Sequence, residues 1–500
     1  MKQGKVYLLG AGPGDAQLLT IKGYNCLQKA DVVVYDFLAC PSMLNVVRQD
    51  CELIFAGKQS GHHFKKQHET NLLLAELAKQ GKTVVRLKGG DPYIFGRGGE
   101  EAQVLLEQGV EFEVVPGISS CYSAPAYAGI PVTHRDYASS FHVITGHRQQ
   151  AHKQDINFKA LARLDGTLVF LMSLMNLPHI VEELIANGKS ADTLAAVVQQ
   201  GTTAHQKTAV GTLATIVEEV QRQQIHTPAL TVVGEVVSLR AQLNWFEKGT
   251  LFGKKVIATG TQSHTRQIAA ELKKYGAETA EISLIYCKEP KKNPLLQVDW
   301  SEYTWIVFTS ANGVELFWDD LRQSGTDLRS IMHLKFAAIG SGTAQALRER
   351  GISVDCMPER FESRYLAEKL IPRLNDEDKV LLMRAENGTV TLPELLKKAG
   401  KDCVSVPLYR TEADMRKKEL LQLHLTDADY LVFSSASAVR AYAKMYDPSA
   451  PCHAKVISIG AVTSEAAAQC GITVAHTAEE ATVSGIAAAI LRDAAGSKEV

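Results

Sequence analysis

Arg86-Leu-Lys-Gly-Gly-Asp-Pro-Tyr-Ile-Phe-Gly-Arg-Gly-Gly-Glu-Glu101 places five glycines, three basic and three acidic residues behind the apolar segment 83–87. The pattern reads as a strand that breaks into a binding loop and resumes as a helix. Gly89 and Gly90 permit close approach of a ligand or a positive φ, and the amides of Gly98 and Gly99 open a helix that Glu100, Glu101, Val104, Leu105 and Leu106 continue. Asp91 suits hydroxyls or a cationic group, while Lys88 and Arg97 suit carboxylates, so the loop favours a ligand or ligand pair of mixed charge. A tight turn capping an ordinary helix accounts for the same glycines, and the loop alone does not separate the two readings.

Outward from that loop, the composition is that of an ordinary globular chain. Five hundred residues, 45% hydrophobic and 22% charged, imply about two to four domains. With 54 basic and 55 acidic residues the net charge is -1, so no global field recruits nucleic acid or an anionic membrane, and any anionic ligand is met locally. The nine cysteines are scattered, without a CxxC pair or a leading apolar export segment, and read as reduced thiols of a cytoplasmic protein. No apolar run approaches the roughly 20 residues of a membrane span.

Toward the amino terminus, the apolar strand 6–9 runs into Gly10-Ala-Gly-Pro-Gly-Asp15 and then a helical stripe of Leu18, Leu19, Ile21 and Leu27. The spacing departs from a dinucleotide fingerprint, and Pro13 lacks an amide that phosphate binding uses. Strands at 32–35 and 53–55 end at Asp36 and at Gly57-Lys58, where open α/β sheets place their ligands; a capping Asp and a solvated Lys are the plainer readings. His62, His63 and His68 lack companions at a ligand spacing, so no metal site is expected. Toward the carboxyl terminus, a strand at 112–115 leads into Pro116-Gly-Ile-Ser-Ser120, whose hydroxyls either cap the next helix or hold a ligand carboxylate or ribose. Beyond residue 137, strands at 143–145, 168–171, 195–198 and 230–233 alternate with helices at 178–187 and 213–223, predicting a second α/β lobe and a ligand cleft between lobes. Met172 and Gly201 follow two of these strands.

The pattern pauses at residues 245–253 and a new strand begins at 255–258, which sets a domain boundary. The remainder is internally repeated. Phe308-Thr-Ser-Ala-Asn-Gly-Val314 matches Phe433-Ser-Ser-Ala-Ser-Ala-Val439 at an offset of 433 − 308 = 125, and the Ile-Gly pair at 339–340 matches that at 459–460, offset 460 − 340 = 120. The second half therefore reads as two similar α/β lobes. Ser310 and Ser435, at strand ends that lead into helices, suit the receipt of carboxylates or serve only as N-caps.

Taken together the motifs are more specific than any one of them. Gly10 to Asp15, Val34-Tyr-Asp36, Ala56-Gly-Lys58, Arg86 to Glu101, Gly129 to Ala138 and Pro228 to Val237 make residues 4 to about 245 resemble the uroporphyrinogen-III C-methyltransferases. The duplicated Ser and Ile-Gly motifs and Pro407-Leu-Tyr-Arg-Thr411 make residues 254 to about 495 resemble uroporphyrinogen-III synthase, although the basic residue usual after that family's first strand is missing from Ala258-Thr-Gly-Thr261. The resemblance implies an α/β architecture, a two-lobed tetrapyrrole methylase fold over residues 1–246 followed by a two-lobed synthase fold over 254–500. It implies S-adenosylmethionine as methyl donor, held by Pro13, Gly89, Gly90, Asp91, Ile94, Ser119, Ser120, Met172 and Gly201. Asp36 and Lys58 fall at positions assigned proton acceptor and donor, and Tyr409 at that of a tyrosine assisting departure of a hydroxyl. Lys88, Arg97, His134 and Arg135, with Lys58, form a basic set for the carboxylates of uroporphyrinogen III. The expected reaction sequence closes hydroxymethylbilane to uroporphyrinogen III in the second half and methylates it twice to precorrin-2 in the first, in sirohaem or cobalamin synthesis. Pairing into a homodimer through the methyltransferase half is also implied. Two alternatives stay open at this point: methylation of another precorrin intermediate, and a second half that binds tetrapyrroles without catalysis.

Overall fold

The computed structural model describes residues 4–36, 41–48, 50–57, 67–146, 156–447 and 452–496. They form two compact units, Met1–Val256 with Leu272–Ala280, and Ile257–Glu271 with Glu281–Val500.

In the first unit, β1 (Lys5–Gly10), β2 (Val32–Tyr35), β3 (Glu52–Phe55), β4 (Thr83–Lys88) and β5 (Glu111–Val115) form a sheet of order β3-β2-β4-β1-β5. All its pairings are parallel. Side chains alternate across a strand, so Val6, Leu8, Val32, Val34 and Val84 build one core while Leu9, Val33, Val85 and Leu87 build another on the opposite face. Helices Gln67–Lys79 and Gly98–Glu107 cover the Val84 face, contributing Leu74, Ala75, Ala102 and Leu105. This two-sided burial explains the unbroken apolar runs of β1, β2 and β4.

The second sheet of this unit contains β6 (Phe141–Thr145), β7 (Thr167–Leu171), β8 (Leu194–Gln199), β9 (Lys207–Thr212) and β10 (Ala229–Val233), in the order β6-β7-β10-β8-β9. Only the β6–β7 pairing is parallel. Strand β9 has no counterpart in the sequence reading. It is an edge strand in which Ala209 alone is buried, so its apolar signal is weak. The helix expected at 213–223 is shortened to Ile216–Arg222 because the preceding residues turn, with Thr212 N donating to Thr215 Oγ1 at 3.0 Å.

The remaining strands are β11 (Lys255–Thr259), β12 (Glu278–Ile282), β13 (Ile285–Lys288), β14 (Trp305–Phe308), β15 (Lys335–Ala338), β16 (Lys379–Ala385), β17 (Asp402–Ala413), β18 (Tyr430–Phe433), β19 (Lys455–Ser458) and β20 (His476–Thr477). They form two sheets, β12-β11-β18-β19-β20 and β13-β17-β16-β14-β15. The sequence repeat is visible in these orders: β11, β12, β18 and β19 hold the places that β16, β17, β14 and β15 hold in the other sheet. The two repeats do not fold as consecutive lobes, however. The chain leaves the first sheet after β12, completes the second, and returns through the antiparallel β13–β17 pair, where Asp414 N donates to Leu284 O at 2.9 Å.

Candidate active sites

Parallel strands β1 and β4 end in register, Gly10 beside Lys88, and their loops continue the pairing: Gly12 N donates to Gly90 O at 3.1 Å and Gly90 N to Gly12 O at 2.7 Å. The loop after β5 joins them, and a Cβ at Gly117 would lie 2.2 Å from Gly90 O. Only glycine tolerates that backbone contact. Gly90 differs. Its φ is +67°, and a Cβ there would meet nothing nearer than Ser120 N at 4.0 Å. The space in front of Gly90 is therefore open and faced by the first amide of helix Ser120–Tyr127.

Asp91 sits beside that opening, but its carboxylate is used by the loop. Oδ1 accepts from Tyr93 N at 2.8 Å and Ile94 N at 3.2 Å, and Oδ2 accepts from Gly117 N at 3.0 Å. Asp91 thus ties the β4 loop to the β5 loop. Ser119 is a buried N-cap, its Oγ accepting from Cys121 N at 3.4 Å, whereas Ser120 is half-buried. Across from them, Gly201 follows β8, and a Cβ there would lie 2.3 Å from Ala124 Cβ of the same helix. Asp15 N donates to Thr202 Oγ1 at 3.0 Å. The loops that carry Pro13, Gly89, Gly90, Asp91 and Gly201 and the helix start at Ser119 and Ser120 are thereby brought together from both sheets. Ile94 is exposed in the β4 loop with Tyr93 and Phe95, and Met172 at the end of β7 is 51% exposed at φ 55°. Exposure, with positive φ at Phe95 and Met172, sets these positions apart from the core.

On the helix-covered face of β4 lies a charge cluster that the sequence reading did not foresee. Glu101, 0% exposed in the first turn of its helix, accepts at Oε1 from Arg86 Nε at 3.2 Å, Lys88 Nζ at 3.0 Å and Gln67 Nε2 at 3.0 Å. Arg86 also donates to Asp36 Oδ2 at 2.9 Å and to Leu87 O at 3.0 Å. Two cations and two carboxylates offset one another, and Asp36 is anchored at the end of β2 by a guanidinium that is itself fixed at several points. Burial, followed by the neighbouring Arg86 charge, holds the Lys88 pKa below the ordinary lysine value. Lys88, expected to meet substrate, is employed inside the fold. Arg97 is exposed at φ 58° and pairs with Glu100 at 2.6 Å. His134 and Arg135 lie on a turn closed by His134 N donating to Ala138 O at 3.0 Å, with the His134 ring accepting from Asp136 N at 3.1 Å. Lys58, His62 and His63 lie outside the described residues.

In the second unit the repeated serines occupy equivalent places. Ser310 caps helix Ala311–Ser324 by accepting from Gly313 N at 2.9 Å, and Ser435 caps helix Ala436–Met445 by accepting from Ala438 N at 3.2 Å. Their further partners differ, the Ser435 hydroxyl meeting that of Ser437 at 3.2 Å. The Ser310 hydroxyl also meets the Tyr409 hydroxyl of β17 at 2.8 Å. Tyr409 is otherwise packed in the core with Phe308 and Leu408. Burial pushes its phenol up to about 12, against the opposing bond from Ser310, so it keeps its proton at neutral pH. This couples a buried phenol to a strand-end hydroxyl.

Residues 5–217 match the family model of tetrapyrrole (corrin/porphyrin) methylases, and residues 266–488 that of uroporphyrinogen-III synthase HemD. Across 477 residues the chain is 39% identical to the porphyrin biosynthesis protein HemD of Ruminiclostridium josui, covering 93% of this chain and 94% of that one. It is 41% identical over 367 residues to the uroporphyrinogen-III C-methyltransferase of Bacillus subtilis (strain 168), covering 73% and 76%. Among solved structures, it is similar to the uroporphyrin-III C-methyl transferase of Thermus thermophilus complexed with S-adenyl homocysteine. That match has 38% identity and a TM-score of 0.41, and covers 47% of this chain and 100% of that one.

Proposed function

The chain belongs to the family in which a tetrapyrrole methylase is joined to a uroporphyrinogen-III synthase, and from that premise we propose that it makes uroporphyrinogen III from hydroxymethylbilane and methylates the product twice to precorrin-2. The observation that carries the methyltransferase assignment is the open cradle at Gly90, where three glycine loops and the Ser120 amide converge. The residues fit S-adenosylmethionine. Gly90 leaves room that any side chain would fill, while Pro13, Gly89, Ile94, Ser119, Ser120, Met172 and Gly201 line or support the same strand ends. Asp91 acts by shaping the loop. When bound, the donor supplies an electrophilic methyl group.

The chain itself aligns the macrocycle carbon, excludes water and manages displaced protons. Asp36, anchored by Arg86, accepts protons that the ring loses, and a proton returned by Lys58 during tautomerisation is matched by a further one lost, so that one proton leaves for each methyl gained. In the second half, Tyr409 donates its proton to the departing hydroxyl of the linear substrate, while Ser310 and Ser435 receive carboxylates. Arg97, His134 and Arg135 meet carboxylates of uroporphyrinogen III. Residues 1–246 and 254–500 carry the two activities, and the methyltransferase half pairs as a homodimer, a reading supported by its resemblance to that family. The cytoplasm is the proposed compartment. The eight described cysteines are free thiols, and no described helix is long and apolar enough to cross a membrane.

The test is anaerobic incubation with S-adenosylmethionine and either uroporphyrinogen III or a later precorrin. Methylation of uroporphyrinogen III is expected, and turnover of the later precorrin alone would assign the first half to a different step.

A further inference from the structure

The loop of residues 200–206 is held in an unusual shape. Gln200 has φ 43° and Thr202 has φ 74°, a conformation that a β-branched residue rarely adopts. Most of its restraints come from nearby parts of the first unit. Gln200 N donates to Pro228 O at 2.9 Å, and Thr202 N to Gln206 Oε1 at 2.8 Å. Gln206 Nε2 in turn donates to Tyr127 O at 3.2 Å and Glu247 Oε1 at 2.9 Å. One restraint comes from further along the chain: Ala204 N donates to Glu278 Oε2 at 2.7 Å. Ala204 is buried, so its N–H has this carboxylate as its partner in place of water.

Glu278 begins β12, and by sequence it falls within residues 266–488, the stretch that matches the synthase model. In space it belongs with residues 1–256, because Leu272–Ala280 is part of the first compact unit. Its backbone is fixed there: Glu278 N donates to Lys254 O at 3.0 Å, and Leu251 N to Tyr275 O at 2.8 Å. We propose that Glu278 is a positioning residue of the methyl-donor site, its carboxylate holding the Ala204 amide so that the 200–206 loop presents Gly201 against helix Ser120–Tyr127 and Thr202 against Asp15. The inference rests on the reading of that loop as part of the donor site. The physical basis is that a carboxylate accepting a buried N–H makes a charge-assisted bond, and loss of the acceptor leaves an unpaired amide beside strained backbone. The loop then relaxes toward ordinary φ values and the cradle loses one wall. A residue numbered with the second enzyme thereby sets the donor affinity of the first.

Calorimetric titration of S-adenosylhomocysteine into the full chain, as wild type, E278A, E278L and E278Q, tests this. E278A and E278L are expected to bind about fivefold to thirtyfold more weakly, a typical range for a lost charge-assisted hydrogen bond. E278Q, whose amide oxygen accepts the same N–H, stays within about threefold of wild type. The KM for S-adenosylmethionine rises with little change in kcat, and formation of the type III isomer is unaffected. If E278A does not fold, the size-matched pair E278Q and E278L decides. Wild-type affinity in E278A or E278L overturns the inference alone, as does equal weakening by E278Q. No binding by the wild-type chain overturns the donor-site reading beneath it.

Discussion

Asp36 follows the end of β2 and Tyr409 lies within β17, and each is held by a named partner. With Arg86 fixing the Asp36 carboxylate at 2.9 Å, Asp36→Asn keeps the shape but loses the proposed proton acceptor. Single-turnover methylation is expected to slow by about 10² to 10⁴-fold with donor affinity nearly unchanged; an unaltered rate reduces Asp36 to an anchor for Arg86. Tyr409→Phe removes the hydroxyl that meets Ser310 at 2.8 Å, and the type III isomer is expected to form more slowly while methylation of supplied uroporphyrinogen III continues. A wild-type rate of ring closure removes the phenol from catalysis. Strand-end polarity singled out Asp36, whereas Tyr409 was singled out by the resemblance of its stretch to the synthase family. The sequence did not locate their partners. Nothing in the spacing of Arg86 and Lys88 signals that one buried carboxylate, Glu101, accepts from both, and backbone acceptance by Asp91 leaves no mark in a sequence.

At the scale of elements, burial on both faces made most strands of the first unit legible, and half-exposed β9 was missed for the converse reason. The repeat at 308–314 and 433–439 correctly announced two similar sheets. Its exchange of strands was not legible, since periodicity reports similarity and says nothing of which copies pair. One element offers a pH test. Asp493 on the last helix accepts from Lys455 Nζ at 2.7 Å, Tyr430 OH at 2.8 Å and His476 Nε2 at 2.8 Å, and so clamps that helix to strands β18, β19 and β20. Burial opposes its ionisation, but these three bonds outweigh it and hold the pKa at about 2, below the ordinary 3.8. A depressed carboxylate stabilises the fold above its unfolded pKa, and that stabilisation fades as pH falls toward the folded value. The shift, 3.8 − 2 = 1.8, corresponds to about 2 kcal/mol. Asp493→Asn is therefore expected to lower unfolding free energy by about 2 kcal/mol at pH 7, with the difference shrinking between pH 4 and pH 2. A difference constant across that range shows that the carboxylate charge is not what holds the helix.

For the whole molecule, the domain boundary read near residues 246–254 and the spatial division differ in a consequential way. The compact unit that contains the methyltransferase stretch also takes Leu272–Ala280, which composition and periodicity assigned to the second enzyme. The reason is local packing: Gly249 lies so close to Gly276 that a Cβ would come within 2.9 Å of its Cα, and such backbone proximity has no sequence signature beyond two unremarked glycines. This one chain performs ring closure and then methylation. The most direct measurement supplies the purified full-length chain with hydroxymethylbilane and S-adenosylmethionine under anaerobic conditions and identifies the tetrapyrroles formed over time. Precorrin-2 is predicted with the donor present and uroporphyrinogen III without it. Formation of only the symmetric type I isomer, as in unassisted closure, or accumulation of unmethylated uroporphyrinogen III despite saturating donor, would contradict this pairing of activities.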